Sequence, residues 1–190
     1  MGARAESAAA TGERILDAVT ALFWEQPADR ISLDEVARCA GVSVQTVIRR
    51  FGTKELLFAA AAERAVVRVR AQRDTAPVGD LRAVVAVLAE HYEQFGDRVL
   101  KLLAEEDRMP ALREIADRGR QLHRDWCARV FAPALAGMRG VARARRLAQL
   151  VAVCDVQTWK LLRRDSGLSR HQTELALVEL LEPLARPGPS

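Results

Sequence analysis

The chain has no run of about 18 uncharged apolar residues, the length that reads as a membrane-spanning helix. No membrane partner is expected. Its first residues carry Arg4 and Glu6 but no apolar core segment, so no secretion signal is expected. Cysteine is scarce. Cys39, Cys127 and Cys154 are odd in number and far apart, which argues against a disulfide framework and for a reducing, cytoplasmic setting. Catalytic signatures are missing too. There is no Gly-rich phosphate loop, no Gly-x-Ser-x-Gly, no His-Glu-x-x-His and no Glu-x-x-His. A non-enzyme without cofactor or metal is therefore expected. Asp17, Glu25 and the run Glu105-Glu106-Asp107 read as solvated helix charges. No alternating β-type run and no internal repeat stands out.

What is present is apolar spacing of helical period almost throughout, so the fold class is all-α. The densest information lies in Ser32 to Leu57. Ser32 caps a helix and Glu35 completes a capping box. Val36, Ala37 and Ala40 give that helix its apolar face, and Gly41 ends it. Ser43 caps a second helix, which ends at Gly52. Two short helices joined by three or four residues with glycine in the turn form a helix-turn-helix, about 32–51. In that motif the second helix enters the DNA major groove. Here it carries Val44, Gln45, Thr46, Arg49 and Arg50.

From Val36 to Thr53 there is no acidic residue, while Arg38, Arg49 and Arg50 are present and Lys54 follows. That local basic patch suits a phosphate backbone, although a solvated helix surface would look similar. Gln45 can pair with adenine, and Val44 or the Thr46 methyl can touch thymine. Arg49 can reach guanine or phosphate. Ser32 and Ser43 lie at helix N-termini, where phosphate binds, and Lys54 is a phosphate clamp. Leu33, Val36, Val47, Phe51, Leu56 and Leu57 are expected to be core, Cys39 a tolerated small residue and Arg38 a solvated charge.

Ala40-Gly41-Val42-Ser43, then Thr46, Arg49, Phe51, Lys54, Glu55 and Leu56-Leu57, together with Ile15, Leu16, Ala18, Ala21, Leu22 and Phe23 upstream, resemble the DNA-binding domain of TetR-family transcriptional regulators. The resemblance covers roughly residues 11–70. It implies an N-terminal three-helix DNA-binding domain and a C-terminal helical ligand-sensing and dimerisation domain, about nine helices in all. Two positions depart from it. Ile48 stands where the family commonly has a tyrosine whose hydroxyl meets the DNA backbone, and Gln45 stands near a position that is often small.

Along the chain, residues 1–10 are expected to be a disordered arm. Thr11 caps helix 1, which Pro27 ends, and the DNA-binding domain with a connecting fourth helix fills 11–73. The break Asp74 to Asp80, with Pro77 and Gly79, is the expected domain boundary. The second domain spans 80–186. Its expected helices are a fifth through Tyr92, a short sixth over Val99 to Leu103 stopped near Pro110, a seventh over Leu112 to Val130, a long eighth from Leu147 to Leu162 and a ninth capped by Ser169. Pro183, Pro187, Gly188 and Pro189 are expected to end the fold.

The resemblance further implies that the last two helices pair with their copies as a homodimer, a role that Leu147, Leu150, Val151, Cys154, Leu161, Leu175, Val178 and Leu181 suit. Intramolecular core is the plainer alternative. It also implies a pocket for a small-molecule effector, with His91, Tyr92, Phe95, Met109, His123, Trp126, Cys127, Asp155, Gln157 and Trp159 as candidates. The same aromatics could simply fill a core. His123 and Cys127 share a helix face, so metal or redox sensing is conceivable, but two ligands do not make a metal site. The expected function is a dimeric repressor released from a palindromic DNA operator by an effector. Alternatives are a DNA-binding regulator that is constitutive or protein-controlled, and a helical small-molecule-binding module or enzyme.

Overall fold

The computed structural model describes residues 2–186, with the backbone alone for 2–5. Its helices follow one another as α1 Gly2–Glu25, α2 Leu33–Ala40, α3 Val44–Phe51, α4 Lys54–Arg73, α5 Leu81–Glu105, α6 Pro110–Val130, the single turn α7 Ala132–Leu135, α8 Gly140–Val153, α9 Val156–Lys160 and α10 Arg170–Ala185. Two 3-10 turns, Ala28–Arg30 and Glu106–Arg108, and one π turn, Leu161–Asp165, link them. Among the described residues there is no strand.

The chain divides into two units. Unit 1 comprises residues 2–67 and Lys101–Asp117, and unit 2 comprises Arg68–Leu100 and 118–186. The division therefore does not fall at the Asp74–Asp80 break, and α4, α5 and α6 each contribute to both units. Those helices are 20 to 25 residues long, so at 1.5 Å per residue each spans more than one small core.

Unit 1 is built on Ile15, Val19, Leu22 and Phe23 of α1, Val36 and Ala40 of α2, Val47 of α3, and Leu57 and Phe58 of α4. These recur at three- and four-residue spacing and so occupy one face of each helix. Met109 and Leu112 complete this core. Met109 therefore packs in unit 1 and is not part of a pocket with the other proposed ligand residues. Glu105 is 7% exposed and is not a solvated charge. Its carboxylate accepts from the Ala28 N–H at 2.8 Å and pairs with Lys101 Nζ at 2.9 Å. A buried carboxylate needs such partners, and this one pins the turn between α1 and α2.

Several expected boundaries move. Residues 2–10 extend α1 instead of forming a disordered arm, because alanine is the best helix former. Thr11 does not cap; its hydroxyl donates to Ser7 O at 2.9 Å. The expected fifth and sixth helices are one helix, α5, which runs through Gly96. A Cβ at Gly96 would sit 2.5 Å from Trp159 Cζ3, so this glycine admits an indole ring and breaks nothing. Pro110 opens α6, where its missing N–H is harmless.

The expected long eighth helix is interrupted after Val153, because the Asp155 carboxylate turns back to accept from Gln157 N at 2.9 Å and starts α9. The π turn that follows is tied to α5 by Arg163–Glu93 and Arg164–Asp97 ion pairs of 2.8 and 2.9 Å. Ser169 caps α10 as expected. Pro183 lies inside that helix and does not end it. The stops expected at Pro187, Gly188 and Pro189 lie outside the described residues.

Candidate nucleic-acid interface

The turn between α2 and α3 is set by two local devices. Gly41 adopts φ 65° and ψ 41°, the left-handed conformation that glycine takes without steric cost. The Val42 N–H then reaches back to Ala37 O at 3.0 Å. Ser32 Oγ accepts from Glu35 N at 3.1 Å. The Glu35 carboxylate accepts from Gln26 Nε2 at 2.8 Å, so it ties α2 to the end of α1. Ser43 Oγ accepts from Thr46 N at 3.2 Å and lies 2.9 Å from Thr46 Oγ1, which starts α3.

Helix α3 is pinned by one face. Val47 is buried, and Val44 and Phe51 are half-buried against the unit 1 core. Helical spacing then turns Gln45 and Arg49, four residues apart, outward together. Both are exposed, as are Ser32, Ser43 and Arg50, while Thr46 is half-exposed. Arg38 and Cys39 are also exposed, as a solvated charge and a tolerated small residue should be. Leu56, expected in the core, is 58% exposed, and Ile48 is 47% exposed. Ile48 lies one turn beyond Val44, on the edge of the buried face, where an aliphatic side chain is only half covered.

Lys54, the first residue of α4, donates from Nζ to Asp29 O at 3.0 Å. Partial burial lowers its pKa, while the charges of Asp29 and Glu55 oppose that shift. Two further ammonium hydrogens remain for a phosphate. Arg49 and Arg50 line a surface cleft of about 530 Å³ with Thr46, Ser7, Ala8 and Thr11. Here α1 contributes to the basic surface. A Cβ on Gly12 would lie 2.5 Å from Arg50 Nε and Nη2, so the missing side chain lets the guanidinium rest on α1. Sequence reasoning missed this wall of the cleft by assigning residues 1–10 to an arm. The available signal was the alanine run beside Gly12.

Unit 2 gathers His91, Tyr92, Phe95, His123, Trp126, Cys127 and Trp159 around a residue the sequence did not single out, Arg73. His91 lies 5.2 Å from the Tyr92 ring and 5.4 Å from Phe95, and Tyr92 lies 5.8 Å from Trp159. The Arg73 guanidinium sits over Tyr92 at 5.5 Å and Trp126 at 5.1 Å, and donates to His123 Nδ1 at 2.9 Å. The Tyr92 hydroxyl donates to Cys154 O at 2.9 Å, and Trp126 Nε1 donates to Arg73 O at 2.9 Å. Burial, followed by the charges of Arg73 and His123, pulls His91 down to about 3. Burial raises the Tyr92 phenol. Asp155 is a helix cap, and Gln157 is exposed. Among the described residues no three His, Cys, Asp or Glu side chains are grouped to hold a metal ion.

The proposed dimer residues separate. Leu147, Leu150, Cys154 and Leu181 are buried within the single chain, because α8 and α10 pack their inner faces on unit 2. Leu161 is 58% exposed, and Val151, Leu175 and Val178 are half-buried.

Residues 15–61 match the model of the bacterial regulatory proteins of the tetR family. Comparison with curated proteins returns no match. Among solved structures, the chain is similar to a candidate transcriptional regulator from Pseudomonas aeruginosa PAO1, with TM-score 0.70, 19% identity, and 92% of this chain and 89% of that one covered. A tetR-family transcriptional regulator from Streptomyces coelicolor is similar at TM-score 0.62 and 20% identity, covering 97% and 84%. NalD, the secondary repressor of the MexAB-OprM multidrug efflux pump in Pseudomonas aeruginosa, is similar at TM-score 0.57 and 22% identity, covering 92% and 94%. These likenesses are of fold. The helix-turn-helix of residues 32–51 lies inside the segment, residues 15–61, that matches the tetR family of bacterial regulatory proteins.

Proposed function

We propose that the chain is a cytoplasmic, homodimeric repressor that reads a palindromic operator and releases it when a small-molecule effector binds unit 2. The observation that carries this reading is the division of α3. One face is held by the core through Val47, and the opposite face offers Gln45, Thr46 and Arg49 to a groove about 12 Å wide. Gln45 and Arg49 are assigned to base edges. Ser32, Ser43, Arg50 and Lys54 are assigned to phosphates. Leu161, Leu175 and Val178 are assigned to the dimer contact, since their surface is not used up inside the chain. Two copies would hold their recognition helices about 34–36 Å apart. The repressor role is carried over from NalD. An effector would shift the balance between two spacings only by differential affinity for them.

Selection of binding sites from random duplex DNA at fixed salt tests this reading. An enriched palindrome is expected, and no enrichment above background would overturn it. A ligand-free regulator is a second reading, favoured by internal hydrogen bonds in unit 2, from Arg73 to His123, from Trp126 to Arg73 O and from the Tyr92 hydroxyl to Cys154 O. A ligand found by thermal shift that also lowers operator affinity would exclude it.

A further inference from the structure

The cluster in unit 2 holds a buried cation without an anion. Arg73 is 7% exposed, and among the described residues no carboxylate forms an ion pair with it. The acids that could serve are engaged elsewhere. Asp74, the next residue, pairs with Arg129 at 3.2 Å. Glu93, beside Tyr92, pairs with Arg163 at 2.8 Å. The Asp155 carboxylate accepts from Gln157 N at 2.9 Å. An uncompensated buried charge is costly, so the site favours an anion that the chain itself does not supply.

The guanidinium is held in place with one edge left over. Its Cζ lies 5.5 Å from the Tyr92 ring and 5.1 Å from the Trp126 ring. Nη1 donates to His123 Nδ1 at 2.9 Å. A guanidinium only donates, so His123 accepts on Nδ1 and carries its proton on Nε2, toward Val151 O at 3.3 Å. The edge made by Nε and Nη2 remains. Nε is buried without a partner, and the side-chain hydrogen bond that Arg73 does make leaves from Nη1. Two parallel N–H donors on one edge are the fork that takes both oxygens of a carboxylate. Beside the cluster, His91 Nδ1 lies 3.2 Å from Gln72 Oε1, and its ring lies 5.4 Å from Phe95. Gln72 and Phe95 are only half-buried, so a local opening on this side admits a small molecule without unfolding the unit.

We propose that this edge of Arg73 is the binding site of a small aromatic monocarboxylate. The two carboxylate oxygens accept from Nε and Nη2, and the ring of the ligand lies among Tyr92, Trp126 and Phe95. A donor-only cation selects an acceptor-only anion. One buried positive charge matches one negative charge, whereas a second carboxylate would be buried unpaired. The walls around the guanidinium are rings, so the rest of the ligand is flat and apolar. This names the chemical class of the effector, and it rests on the reading that unit 2 binds one. No atom of the DNA-binding face takes part.

The test is calorimetric titration of the full chain, without DNA and at fixed ionic strength, with benzoate, phenylacetate and the neutral isostere benzamide. A carboxylate should bind saturably, and benzamide at least about tenfold more weakly, because the charge-assisted hydrogen bonds are lost. Arg73→Gln should lower carboxylate affinity by at least about tenfold and leave the weak benzamide binding unchanged. Arg73→Lys keeps the charge without the fork and should fall between the two. Equal affinity for carboxylate and amide would overturn the site. So would carboxylate binding unchanged in Arg73→Gln, or no saturable binding of either carboxylate. The comparison on the unmutated chain decides the matter even if a variant does not fold. Operator affinity is measured separately. Carboxylate binding that leaves it unchanged would uphold the site and sink the effector reading instead. A palindrome bound by a chain that takes neither carboxylate would overturn the site and leave the DNA-binding reading standing.

Discussion

Gly96 and Gly119 offer a matched pair of substitutions whose outcomes should differ in sign. Both lie inside helices, α5 and α6, and neither has a positive φ. Alanine gains about 0.8–1.0 kcal/mol over glycine at such positions from helix propensity alone. At Gly119 nothing lies within 4 Å of a new Cβ, so Gly119→Ala should stabilise by about 0.5–1 kcal/mol.

At Gly96 the Cβ would meet Trp159 Cζ3 at 2.5 Å, Cη2 at 2.8 Å and Cε3 at 3.0 Å. Carbon atoms rest about 3.5–4.0 Å apart, so the overlap is about 1 Å with a rigid ring. Trp159 is 1% exposed and has nowhere to retreat. Overpacking of this kind costs roughly 1–3 kcal/mol. After the propensity gain is subtracted, Gly96→Ala should destabilise by up to about 2 kcal/mol. The propensity gain is common to both, so the difference between the two variants should be the overpacking cost, about 1–3 kcal/mol.

Urea unfolding at 25 °C, followed by far-UV circular dichroism, measures both as shifts in midpoint at unchanged slope. Trp159→Phe, which removes part of the clashing ring, should recover at least about 1 kcal/mol of the Gly96→Ala loss in a double-mutant cycle. Equal stabilisation by both alanines would refute the reasoning. It would mean that the ring does not lie on Gly96 and that α5 is continuous for some other reason.

Gln45→Ala should relax base preference at one operator position and cost about 1–3 kcal/mol. Lys54→Ala should weaken binding to all sequences alike and reduce the salt slope by about one. Equal, sequence-independent losses for both would show that Gln45 touches no base. Glu105→Ala leaves the Ala28 N–H buried without its acceptor and should cost about 1–3 kcal/mol. Glu105→Gln keeps an acceptor and should cost less; a larger loss for Gln would refute the assignment.

His91 makes stability depend on pH. Its folded pKa of about 3 lies below the ordinary 6.5, so the unfolded chain takes up a proton that the folded chain refuses. The contribution is fully present above pH 6.5 and falls by about 1.4 kcal/mol per unit as pH drops from there toward 3. Denaturant midpoints of wild type and His91→Gln should converge over that window, and parallel curves would refute it.

Local signals carried most of unit 1. Ser32, Gly41 and Ser43 act within three or four residues of themselves, so the ends of α2 and the start of α3 are legible from spacing alone. The outward set on α3 was legible for the same reason, since helical period decides which side faces away from Val47. Leu56 was misplaced because its neighbour Leu57 takes the core position and period alone does not choose between two adjacent leucines. Glu105 was misread because its partner, the Ala28 N–H, is 77 residues away in sequence. Gly96 resembled a break for a similar reason, because the indole that needs its space belongs to another helix.

The sequence by itself determined the all-α class, the helix-turn-helix and the exposed polar face of α3, because capping, turn chemistry and helical period are short-range. Only the tertiary structure decided that α1 walls the Arg49–Arg50 cleft, that Met109 joins the core of unit 1, and that Leu147, Leu150, Cys154 and Leu181 are spent inside the chain. It also brought Arg73, His123 and Cys127 together from two helices, α4 and α6. Long-range packing chooses which of several apolar faces turns inward, and which distant polar groups must satisfy one another once water is gone.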